Sequence, residues 1–119
     1  MLLRITLAII IVGICYLSIS PTETLTIGND KTSHFIAYST LMFNVGLLTY
    51  LNKSQFIRGI ILSILFGGVL EIVQHFVPGR VMSILDLAAN TVGVFLGVIL
   101  TIFLYKKIHS LLKVLGLNF

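Results

Sequence analysis

Charge is scarce in this sequence. Of 119 residues, 8 are Lys or Arg and 4 are Asp or Glu, so 10% carry a formal charge, against about 25% in a typical soluble domain. So few charges cannot wet the surface of a globular fold, which excludes a soluble domain. Cysteine is scarcer still. Cys15 stands alone, which excludes an intramolecular disulfide framework and a cysteine-based zinc site. Lying inside an apolar stretch, it reads as a small packing residue. Internal repeats, linkers and low-complexity segments are also missing. The net charge of +4 does not point to nucleic acid, because the basic residues sit singly between apolar runs and do not cluster on one face.

Apolar residues are what the chain has in quantity. They make up 57% of it, and mean hydropathy is +1.09. A helix crossing a bilayer needs about 20 apolar residues. Four spans therefore take roughly 80 residues and leave about 39 for tails and connections. The expected architecture is all-α: a single polytopic membrane domain over residues 1–119, with four transmembrane helices packed as a small bundle. Apolar runs place the spans at about 2–19, 35–51, 57–77 and 84–105. Turn and polar signals break the chain at Ser20-Pro21-Thr22-Glu23, around Gly28-Asn29-Asp30, at Asn52-Lys53-Ser54-Gln55 and at Pro78-Gly79-Arg80. Orientation follows from the positive-inside rule. With both termini cytoplasmic, Arg4, Lys53, Arg58, Lys106, Lys107 and Lys113 lie inside, and only Lys31 and Arg80 lie outside.

In that orientation all four acids, Glu23, Asp30, Glu71 and Asp86, fall toward the outer face. Helical spacing gathers the polar residues into stripes. Asp30, His34 and Tyr38 recur at intervals of four. Glu71, Gln74 and His75 lie at i, i+3 and i+4, and Asp86, Asn90, Gly93 and Gly97 continue one stripe on the fourth span. Hydrocarbon penalises such side chains, so three helices with polar stripes at one depth should turn them toward one another. The expectation is a polar cavity opening toward the outer leaflet. Several members also have structural readings. Asp86 suits a helix N-terminus, Arg80 suits a turn anchor, and Gly93 with Gly97 suits a helix-packing face. Glu71 does not reduce to one of these: an acid within a span costs roughly 2.5–3.5 kcal/mol at the bilayer centre and marks function by default.

The segment Asp30-Lys31-Thr32-Ser33-His34-Phe35-Ile36-Ala37-Tyr38 resembles the opening motif of the VanZ-like family. Glu71-Ile72-Val73-Gln74, Pro78-Gly79-Arg80 and Ser83-Ile84-Leu85-Asp86-Leu87-Ala88-Ala89-Asn90-Thr91-Val92-Gly93 resemble its second block. The resemblance runs from about Asp30 to Gly97 with the spacing intact; His75 is outside the pattern. It implies a small multi-pass protein of the bacterial plasma membrane. The family takes its name from a component of glycopeptide-resistance clusters associated with teicoplanin, a label that carries no molecular activity with it.

Three functions fit the polar cluster. In the first, the pocket recognises the headgroup of a phospholipid or a polyprenyl-linked cell-wall precursor. Arg80 and Lys31 grip its phosphate, while Glu71, Asp86, Asn90, Gln74, Asp30 and Tyr38 complete the ligand-binding set. In the second, the chain is an intramembrane enzyme acting on a lipid phosphate, with Glu71, Asp86 and His34 as catalytic candidates and a divalent cation as a possible cofactor. In the third, it is a proton-coupled small transporter, which four short spans would support best as a homo-oligomer.

Overall fold

The computed structural model describes residues 1–20 and 30–117, with Asp30 described by its backbone alone. The turn signals at 21–29, Glu23 among them, and the side chain of Asp30 lie outside the described residues, as do residues 118–119. The described residues form four helices and no strand: α1 Leu2–Ile19, α2 Asp30–Thr49, α3 Lys53–Gln74 and α4 Ile84–Val114.

The helix ends follow local chemistry. Asn52 caps α3 by accepting a hydrogen bond from the Gln55 backbone N–H at 3.1 Å, and Ser83 caps α4 by accepting from the Asp86 N–H at 3.4 Å. Beyond α3, the Arg80 N–H donates to the Val77 carbonyl at 3.1 Å. Pro78 and Gly79 occupy the centre of that turn, and Gly79 has φ 81°, the left-handed conformation that glycine adopts freely in a type II turn. At the far end of α4, the Leu117 N–H reaches the Leu112 carbonyl and the Gly116 N–H reaches Lys113, with Gly116 at φ 69°. This is a Schellman stop.

Several boundaries differ from the apolar runs. Helix α3 starts four residues before the run at 57–77 and stops three residues before that run ends. Helix α2 begins at Asp30, five residues before the run at Phe35, so the polar residues through His34 form its first turns. Helix α4 continues beyond Tyr105 to Val114, because Lys106, Lys107, His109 and Ser110 end the hydrocarbon run without ending the helix. Its 31 residues make a rod of about 46 Å at 1.5 Å per residue, longer than a hydrocarbon core of about 30 Å. The last turns of α4 therefore extend past any bilayer that its apolar part crosses.

Helices α1, α3 and α4 are long and apolar enough to cross a membrane. Helix α2 is of similar length but more polar, and it packs against all three of the others, most extensively against α4. Its polar groups meet protein on several sides: Asn44 Nδ2 donates to Thr6 Oγ1 of α1 at 2.7 Å, and Ser39 Oγ donates to the carbonyl of Phe35 in its own helix. The α2–α4 contact rests on small residues. A Cβ on Gly93 would lie 2.5 Å from the Phe35 carbonyl oxygen, and one on Gly97 would lie 2.7 Å from that of Ser39. Gly93 and Gly97 thus form a packing face through which two backbones approach closely. Tyr38, Leu41, Met42, Leu70 and Val94 fill the core beside them. The outward faces are hydrocarbon, with Leu62, Leu65, Val69, Ile72, Phe95 and Phe103 all exposed, as suits helices solvated by lipid.

The helices alternate in direction. Leu3, Leu47 and Tyr105 cluster at one end, where the Tyr50 ring packs tilted against Tyr105 with ring centroids 4.5 Å apart. The C-terminus of α1, the N-termini of α2 and α4, and the C-terminus of α3 meet at the other end. That end carries Glu71 and Asp86.

Candidate functional site

The polar residues of α2, α3 and α4 converge because each lies within about two turns of the helix end at the same end of the bundle. His34 comes from the second turn of α2, Glu71 from the last turn of α3, and Asp86 from the first turn of α4. One ligand atom from each lies within 4.8 Å of the other two. Glu71 is 3% exposed and Asp86 6%, so two carboxyl groups share a nearly closed volume. Two full negative charges at that separation repel by roughly 3.5 kcal/mol at an effective dielectric constant of about 20, a repulsion that a shared proton or a cation relieves.

Local bonds hold the cluster in place. His34 Nδ1 lies 2.8 Å from Asn90 Oδ1 and 3.6 Å from Glu71 Oε1, so the imidazole sits between an amide and a carboxylate. Glu71 Oε2 accepts the backbone N–H of Ser83 at a long 3.4 Å. In a capping box, the third helical residue returns to that N–H. In α4 the third residue is Asp86, yet the N–H goes to a carboxylate of α3. Asp86 remains in the first turn, where the helix dipole favours its negative charge. Asn90 lies one turn deeper and is 2% exposed; its Nδ2 has no hydrogen-bond partner among the described residues. An unpaired buried amide N–H typically costs about 1–3 kcal/mol. Tyr38 and Asn90 both abut Gly67 of α3, which closes the floor of the cluster.

The other candidates take different places. Gln74 is buried near the end of α3, and Lys31 is exposed in the first turn of α2. His75 is also exposed, one residue beyond α3, so the i, i+4 pair Glu71–His75 does not converge. Arg80 has a partner that the sequence does not reveal. Its Nη2 donates to the Leu17 carbonyl at 2.8 Å and its Nε to that of Ser20 at 3.2 Å. A guanidinium satisfies the last carbonyls of a helix well, so Arg80 clamps the C-terminus of α1 beside the cluster. Asn44, buried at the α1–α2 contact, was not singled out from sequence; its only signal there is a place four residues beyond Thr40.

The profile of the VanZ/LLP1 family matches residues 16–105. That span takes in the end of α1, all of α2 and α3, and most of α4, and so contains every residue of the cluster. No curated protein and no solved structure matches the chain. With its membrane-capable helices and a match over most of its length, the chain is a membrane protein that belongs to the VanZ/LLP1 family.

Proposed function

We propose that this protein is a four-span bacterial envelope protein whose acidic end faces outward and recognises the headgroup of a phospholipid or a polyprenyl-linked cell-wall precursor. The convergence of His34, Glu71, Asp86 and Asn90 at one end of the bundle carries this reading. Side chains at the ends of apolar helices lie at the depth of lipid headgroups, and carboxylates and amides there bond hydroxyls and amines. A lipid phosphate meets the N-termini of α2 and α4, whose dipoles favour anions, with Lys31 exposed at the rim. Arg80 contributes through the α1 clamp and through any guanidinium hydrogens that the clamp leaves. Placing both termini in the cytoplasm supports the outward assignment, because the tyrosine-lined end opposite then carries the excess of Lys and Arg.

A second reading is an intramembrane enzyme on the same lipid class. The observation that favours it is the 3.6 Å approach of His34 Nδ1 to Glu71 Oε1, the arrangement of a general acid and base. The transporter reading is weaker: below Asn90 the core passes into Met42 and Val94, both fully buried, and the buried polar groups beyond them, Ser63, Asn44 and Thr101, are hydroxyls and an amide that do not ionise to relay a proton.

Mass spectrometry of envelope lipids separates the first two. Cells expressing the wild type and Glu71→Ala at matched levels are compared. Recognition without turnover predicts identical lipid profiles, together with a teicoplanin susceptibility that differs between the two strains. A lipid that changes only with the wild type assigns catalysis. Identical profiles and identical susceptibility would contradict a functional cluster.

A further inference from the structure

Two carboxyl groups and one imidazole share the cluster, and with both carboxyls ionised its charge is negative even when the imidazole is protonated. The nearest described guanidinium, that of Arg80, is turned to the α1 carbonyls, and Lys31 is exposed. A divalent cation with a neutral imidazole would balance the two carboxylates.

We infer that His34, Glu71 and Asp86 form a binding site for one divalent transition-metal ion, of the Zn2+ or Mn2+ class, that joins α2, α3 and α4. Three features beyond charge support it. The donors are one imidazole and two carboxylates, the nitrogen–oxygen set that suits Zn2+ and Mn2+; soft ions prefer sulfur, and Ca2+ takes six to eight oxygens. Their ligand atoms already lie within 4.8 Å of one another, and coordination at about 2.0–2.2 Å needs only modest side-chain rotation to draw them in. Asn90 borders the donors: its Oδ1 lies 2.8 Å from His34 Nδ1, the nitrogen that also faces Glu71 Oε1 at 3.6 Å, so an amide oxygen stands beside the three ligands.

The cation site goes beyond the headgroup reading and does not require it. It can be tested without lipid substrate, so the failure of one is distinguishable from the failure of the other. The full chain is purified in detergent, stripped with a chelator, and titrated separately with Zn2+ and Mn2+. Calorimetry reads binding, and thermal unfolding reads stability. The expected result is one ion per chain for at least one metal, with a raised melting temperature because three helices are joined. His34→Gln, Glu71→Gln and Asp86→Asn should each weaken binding at least tenfold and lose the melting shift, whereas His75→Ala should bind as the wild type does. Uptake by the wild type of less than a tenth of an equivalent of both ions would overturn the site. So would unchanged affinity in all three ligand variants. The wild-type titration and its melting shift decide the matter even where a variant fails to fold.

Discussion

At the scale of single residues, the cluster and its clamp make separable contributions. Glu71 was legible in the sequence as an acid too deep in an apolar run to be incidental, and the i, i+4 spacing of Asp86 and Asn90 put them on one face. The partner of Arg80 was not legible. Backbone carbonyls of a helix some 60 residues earlier leave no mark on residue type. The charge on Arg80 suggested a ligand, while its hydrogen bonds go to Leu17 and Ser20. Arg80→Ala should therefore release the end of α1 and lower stability by about 1–3 kcal/mol, the usual worth of hydrogen bonds from a charged donor. Thermal unfolding in detergent measures this, and an unchanged midpoint would contradict the clamp. Glu71→Ala behaves differently. It removes a buried acid and makes α3 more apolar, so membrane insertion and expression should be kept while activity is lost.

At the scale of helices, the apolar runs located the elements and misplaced several boundaries, since hydropathy records where hydrocarbon stops and not where hydrogen bonding stops. Helix α2 was the least legible. Its polar residues lower its hydropathy, yet they are tolerated because the helix is packed by three neighbours. The glycines of α4 were readable as a packing stripe, although nothing in the sequence named α2 as their partner. Gly97→Val should separate α2 from α4, since the added Cβ meets the Ser39 carbonyl and Met42. A destabilisation of about 1–3 kcal/mol or more follows, typical of overpacking. Gly13→Ala is the control, because a Cβ there meets no atom within 4 Å. Equal melting temperatures for the two variants would contradict the close α2–α4 approach. Ser83→Ala should cost about 1 kcal/mol through the lost cap, measured in the same way.

At the scale of the whole molecule, alternating helix direction collects four helix ends around the Glu71–Asp86 cluster and leaves Tyr50, Tyr105 and most basic residues at the other end. That separation is what a bilayer sorts. Scanning-cysteine labelling in a Cys15→Ala background should show a probe at Lys31 reactive from outside the cell and one at Lys107 reactive only from the cytoplasm. The reverse pattern would overturn the proposed orientation. The most direct test of the central claim, that the acidic end recognises a lipid headgroup, is photocrosslinking. The purified chain is reconstituted in vesicles with a phospholipid carrying a photoreactive group on its headgroup, and labelled peptides are mapped by mass spectrometry. The account predicts labels concentrated at the start of α2 and over residues 80–90, and at least tenfold less labelling there in Glu71→Ala. Labels spread evenly over the lipid-facing side chains of α3 and α4, equal in wild type and variant, would contradict it.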